Sequence, residues 1–290
     1  MGSKPAATAR PKDTPMRLRF AFIALWISGS ACANGLLSPD RVTDPPTVGT
    51  LSNASQADIE TEVVRLRAAL VREVPGLIID SADSEQKWIA GSKATLVAAG
   101  RTVETPQLLV VVNRNPAVQQ MRIILAVPGG RWQSLGGSNV STGQANRRGY
   151  FLTPTGVFLH TDAIVDWRAE GTYNEEHIRG LGLKGMRVWD FGWQRAKAGW
   201  GEADELDIRL LMHATDPNYL EQRLGQTASK GCVRIAASMN VFLDRHGVLD
   251  ADVERAAKTD SRYEDVLLPV RTPTPLAGNT MIVIDSAEIR

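Results

Sequence analysis

From Gln107 onward the chain runs in short apolar stretches closed by turn residues, and this punctuation restricts the fold more than any other feature. Leu108 to Val112 is an uninterrupted apolar run of the length of a buried strand, and Met121 to Val127 reads as its returning partner. Between them Asn113-Arg114-Asn115-Pro116 makes a turn, because asparagine side chains bond their own backbone and proline presets φ. Pro128-Gly129-Gly130 and Gly136-Gly137 break the chain again, and short strands continue to Phe158. Leu206 to Met212, Val266 to Val270 and Met281 to Asp285 supply further strands. One stretch here has a clear helical period: Ile235, Met239, Phe242 and Leu243 share a face, and Gly247 ends it. The expectation is a mainly β domain with a few helices, of α+β class, over residues 106–287.

Upstream the texture differs. Ser55 followed three residues later by Asp58 resembles a capping box, and Ile59, Val63, Leu66 and Leu70 recur at helical spacing until Pro75-Gly76. Residues 55–105 therefore read as a helical or mixed segment packed on the main domain. Residues 34–54, rich in Pro, Ser, Thr and Asn, read as a linker. Residues 1–33 read as a signal peptide: Arg17 and Arg19, an apolar run from Phe20 to Ile27, then Ala31-Cys32-Ala33 as a cleavage pattern. Met16 stands just before Arg17, so residues 1–15 would be an extended start. The apolar run is shorter than the ~20 residues a membrane span needs. The expected location is the periplasm or cell envelope, with no stable membrane span after cleavage. Lipid attachment at Cys32 fits less well, since Gly29 stands where a lipoprotein signal favours an aliphatic residue.

Charge narrows the partners. Residues 1–33 hold five Lys/Arg and one acid, which leaves 28 basic and 31 acidic residues in the rest. That balance gives no phosphate-neutralising footprint, and a nucleic-acid partner is not expected. Removal of Cys32 with the signal leaves Cys232 as the single thiol of an exported chain, a position that suits either an inert buried residue or a reactive one.

The surroundings of Cys232 favour reactivity. A thiolate attacks and a thiol does not, and a free thiol with a pKa of ~8.5 is mostly protonated at neutral pH. Lys230 and Arg234 flank Cys232 with positive charge, and a helix expected from about Ala236 would add the partial positive charge of its N-terminus. His213, at the end of the Leu206–Met212 strand, is the candidate base, able to take the thiol proton and return it to a leaving amine. Backbone N–H groups around Gly231 and Cys232 would hold an oxyanion.

These residues resemble the L,D-transpeptidases of bacterial cell walls (the YkuD-type catalytic domain). The family pattern is a His, roughly fifteen residues, then Ser/Thr-His-Gly-Cys; here His213 precedes fifteen residues and then Ser229-Lys230-Gly231-Cys232-Val233-Arg234. Val140-Ser141-Thr142-Gly143 and Thr153-Pro154-Thr155-Gly156-Val157-Phe158 resemble two upstream family segments in the same order. The likeness covers about 106–250. It implies a β-sandwich-like catalytic domain with a helix following the nucleophile, and no cofactor or metal. It also implies attack on the bond after the diaminopimelate of a peptidoglycan tetrapeptide stem, with D-Ala released and a thioester on Cys232. An amine then resolves the thioester: a second stem in a 3→3 cross-link, an envelope lipoprotein, or a D-amino acid. By position, Cys232 is nucleophile and His213 base, the Ala214 carbonyl orients the imidazole, and Ser229 and Gly231 shape the turn and oxyanion site. Arg234 would clamp a substrate carboxylate or form a structural ion pair. Lys230 departs from the pattern, where a second His is usual; it stabilises negative charge but cannot shuttle a proton as imidazole does.

Two other readings stay open: a cell-wall-binding or weakly active homologue, and an L,D-carboxypeptidase with water as acceptor. The segment from Gly185 to Gly201, with Trp189, Trp193 and Trp200, is either core or a substrate-covering lid. His160 and His246 read as structural, His246 as a cation at a helix C-terminus, and His177 as surface. The four histidines lack a closely spaced ligand pair, which argues against zinc.

Overall fold

In the computed structural model, residues 55–201 and 205–288 are described; the signal, linker and Cys32 expectations lie outside them. The run Leu108–Val112 lies within β1 (Gln107–Asn113), which pairs antiparallel with β2 (Gln120–Ala126). Both are apolar on consecutive positions because both faces of the sheet are covered, so alternation with polar residues is lost. On one face Leu108, Val110, Val112, Met121, Ile123 and Leu125 enter one core; on the other Leu109, Val111, Ile124 and Ala126 enter a second.

The sheet continues through β3 (Gln133–Ser141), β4 (Gly156–Leu159), β5 (Trp167–Arg168), β6 (Arg187–Lys197), β7 (Glu205–Ala214), β8 (Val233–Ile235) and β9 (Thr280–Ile284). The order across its nine strands is β4-β9-β1-β2-β3-β8-β7-β6-β5. Two junctions are parallel, β1 with β9 and β7 with β8. The second joins the strand that carries His213 to the one that Cys232 leads into.

Helix α1 (Gln56–Glu73) begins at Ser55, whose side chain accepts from the Asp58 N–H while Asp58 accepts from the Ser55 N–H. Ile59, Val63, Leu66 and Leu70 bury their side chains against the first core, as their spacing predicts. Helix α2 (Ala82–Ala98) covers the other face with Trp88 and Leu96. Its buried positions also include Gly91 and Ser92, so its apolar stripe is hard to read in the sequence. Further along are α3 (Ala237–Arg245), α4 (Ala251–Ala256) and α5 (Ser261–Glu264).

Two expectations are corrected. Val266 to Val270 is not a strand: it is a turn after α5, where Leu267 packs on Tyr263 and Val253 while Val270 stays exposed. Pro269 cannot donate to a ladder, which disfavours a strand there. The helix expected from about Ala236 is α3, which begins at Ala237 with Ala236 as its N-cap, but Ile235, expected on that helix's apolar face, instead ends β8, the strand between Cys232 and α3.

Candidate active site

Strand pairing decides which side chains meet. In the parallel β7–β8 ladder Met212 faces Val233, His213 faces Arg234 and Ala214 faces Ile235. Side chains alternate with period two, and registered partners point the same way. Met212, Ala214, Val233 and Ile235 are fully buried in the sheet, so His213 and Arg234 share the opposite face. Cys232 immediately precedes β8, outside this ladder, and the Arg234 charge acts on both its thiol and the His213 ring.

The turn that carries the thiol is tied at several points. Ser229 Oγ donates to the Cys232 carbonyl at 2.5 Å and accepts the Gly231 N–H at 3.0 Å. Thr153 Oγ1 donates to the Gly231 carbonyl at 2.7 Å and accepts the Gly143 N–H at 2.9 Å. The Ala228 and Ser229 N–H groups both reach the Thr142 carbonyl at 3.0 Å. Phe151 N–H reaches the Lys230 carbonyl at 3.3 Å. The two upstream segments therefore form the bed of the turn that carries Cys232. Gly231 sits at φ +132°, and a Cβ there would lie 2.7 Å from Ile208 Cδ1. A Cβ on Gly143 would lie 1.9 Å from the Phe151 carbonyl oxygen, so the bed closes only around a glycine.

The Gly231 N–H is engaged by Ser229 Oγ, which brackets the turn from within.

His213 is buried, and its Nδ1 lies 2.6 Å from the Ala214 carbonyl oxygen. A carbonyl only accepts, so Nδ1 carries the proton and Nε2 keeps its lone pair. Burial, aided by the nearby Arg234 charge, lowers the His213 pKa to about 4, so the ring is a neutral base at physiological pH.

Burial also pushes the Cys232 thiol up; the Leu211 backbone amide and the Arg234 charge oppose this, and Asp190 adds to it. The thiol is therefore protonated at rest, and it points at the Arg209 carbonyl, 3.7 Å away. In the chain, β8 stands between Cys232 and the start of α3. Of the two flanking cations, Arg234 bears on the thiol, whereas the exposed Lys230 stands with its Nζ 5.9 Å from the Tyr150 ring.

Sequence reasoning missed the Asp190–Arg209 pair behind the thiol. A bulge in β6 between Asp190 and Trp193 buries Asp190, whose carboxylate holds Arg209 Nε at 2.8 Å and Nη2 at 2.8 Å. Only pairing of β6 with β7 brings these residues together, so no local motif announces them. The Gly185–Gly201 segment is largely β6: Trp189 is core, Trp193 is exposed, and Trp200 meets Phe151 edge-on at 5.3 Å. His246 caps α3, and burial lowers its pKa, so it is not the C-terminal cation its position suggests. Among the described residues no group of three or more His, Cys, Asp or Glu is placed to hold a metal ion. Nor is any described helix long and apolar enough to cross a membrane.

Compared with protein-family models the chain matches none, and compared with curated proteins it finds no significant relative.

Proposed function

We propose that the chain is a cysteine acyltransferase of the L,D-transpeptidase kind, with the sheet described above as the scaffold of that catalytic fold. Its substrate would be the peptidoglycan tetrapeptide stem. One observation carries the reading: His213 is held by Ala214 as the tautomer with Nε2 free, on the strand paired with the one that Cys232 leads into.

His213 Nε2 takes the thiol proton as Cys232 Sγ bonds to the diaminopimelate carbonyl carbon. With the Gly231 N–H engaged by Ser229, the Cys232 N–H would hold the oxyanion. The carbon–nitrogen bond breaks, the proton passes from His213 to the departing D-Ala amine, and a thioester remains. An incoming amine, or water, attacks the thioester, gives its proton to His213, and the thiol reforms. A neutral thiol–imidazole pair makes this general-base catalysis rather than attack by a standing thiolate.

A second reading, a cell-wall-binding protein with little turnover, draws on the thiol's rest position against Arg209 and on Lys230 standing over Tyr150. Intact-protein mass after exposure to a carbapenem, for wild type and Cys232→Ala, separates the two. A Cys232-dependent adduct, and a thioester with a tetrapeptide, are expected. Their absence in the wild type overturns the enzyme reading.

A further inference from the structure

Beside the nucleophile turn lies a cleft of about 800 Å³, and its charge is lopsided. Arg147, Arg148, Arg223, Lys230 and Arg234 line it against one carboxylate, Glu176. None of the five cations forms an ion pair with a described carboxylate. Arg234 donates through Nη1 to the Ala228 carbonyl at 3.2 Å, yet its Nε is buried without a partner. The Arg147 guanidinium carbon lies 4.2 Å and Lys230 Nζ 5.9 Å from the Tyr150 ring, so two cations gather at one aromatic ring. Folding has brought like charges together and left a buried donor unmet, at a cost that an anion in the cleft would remove.

The lining also says which kind of anion. Glu176 accepts from Asn174 Nδ2 at 3.0 Å and has no described cation beside it, so it would oppose a uniformly negative polymer and welcome an amine. The Gln144 and Gln226 side chains lie among the cations and suit peptide groups. We propose that this cleft takes a zwitterionic acidic peptide, with at least two free carboxylates and one free amine, and discriminates against its amidated form. Arg234, two residues after Cys232, and Arg147, Arg148 and Arg223 are the residues that read the carboxylates, and Glu176 reads the amine. The inference rests on the acyl-transfer reading for the role of its ligand as substrate, while the binding itself needs no turnover.

Full-length Cys232→Ala protein, titrated calorimetrically, tests it with a tetrapeptide stem bearing free carboxylates and with the same stem amidated. The free form is expected to bind about tenfold tighter or more, and added salt to reduce the difference. Arg223→Gln, and Arg147→Gln with Arg148→Gln, should each weaken the free form about tenfold and leave the amidated form unchanged. Glu176→Gln should weaken the stem with a free amine and not its N-acetylated form. Equal affinity for free and amidated stems overturns the proposal, as does polyphosphate binding more tightly than the free stem. The two readings fail separately. A Cys232 thioester formed indifferently from free and amidated stems removes the cleft's role and spares acyl transfer. A free-carboxylate preference in Cys232→Ala, with no thioester in the wild type, does the reverse.

Discussion

The Thr153 hydroxyl donates to the Gly231 carbonyl at 2.7 Å, across 78 positions of chain. It thereby sets the plane of the peptide before the nucleophile, and because that peptide is trans the Cys232 N–H points the other way. Thr153→Val keeps the shape of the side chain but strands the Gly231 carbonyl and the Gly143 N–H. A loss of about 1–3 kcal/mol is expected, with acylation of Cys232 slowed more than stability alone explains. Urea unfolding and carbapenem acylation rates check this; acylation at the wild-type rate would remove Thr153 from the site's support.

The pH dependence of acylation follows from His213. Its folded-state pKa of about 4 means that Nε2 is free throughout the neutral range and binds a proton only as the pH falls through about 4. The rate of Cys232 acylation should have its acid limb there, and His213→Ala should lower the rate by about 10²–10⁴-fold and abolish that limb. An acid limb near the ordinary value of 6.5 would show that the imidazole is not desolvated as its burial requires.

A buried network governs stability at a distance from the thiol. Asp166 Oδ2 lies 2.8 Å from His160 Nε2 and 2.8 Å from Arg187 Nε, while Arg187 also reaches Asp250. His160 Nδ1 faces the Leu249 carbonyl at 2.8 Å, so both ring nitrogens meet acceptors. Burial opposes the charged ring, yet the Asp166 and Asp250 charges prevail and raise the His160 pKa above 6.5. A raised folded pKa contributes stability that is full below the unfolded value and is lost as the pH climbs through the folded value. His160→Gln should cost about 3–5 kcal/mol near pH 6. The difference in urea midpoint from wild type should shrink as the pH rises above 6.5; a constant difference would mean that His160 is neutral in the fold.

Gly231→Ala should be poorly tolerated for two separable reasons, the positive φ and the 2.7 Å approach to Ile208 Cδ1. Strain of about 1–3 kcal/mol is expected from the backbone alone. Adding Ile208→Ala should recover the clash but not the strain, so the pair should be more stable than Gly231→Ala and less stable than Ile208→Ala. Melting temperatures of the four proteins in this cycle check it, and full recovery would place the cost in the contact alone.

Much of the architecture was legible because its signals are local. The buried strand Leu108–Val112 declares itself by an unbroken apolar run, and the start of α1 by the Ser55–Asp58 pair. Helix α2 was not legible, because small residues fill half of its buried stripe. Val266 to Val270 misled because apolar residues packed in a turn look like a strand when read alone.

The sequence by itself determined the alternating turn-and-strand texture and the first helix, and it offered one thiol, Cys232, and one histidine, His213, as candidates. Tertiary structure decided what those groups are. The parallel β7–β8 pairing sets His213 opposite Arg234, two residues after Cys232, and the Ala214 carbonyl selects the tautomer. Burial makes the pair neutral where flanking charges in the sequence suggested a thiolate. Lys230 turns to Tyr150, the Gly231 N–H to Ser229, and the bulge in β6 brings Asp190 behind the thiol. The reason is physical: residue type and spacing carry local conformation, while protonation and orientation depend on desolvation and on partners supplied from distant parts of the chain.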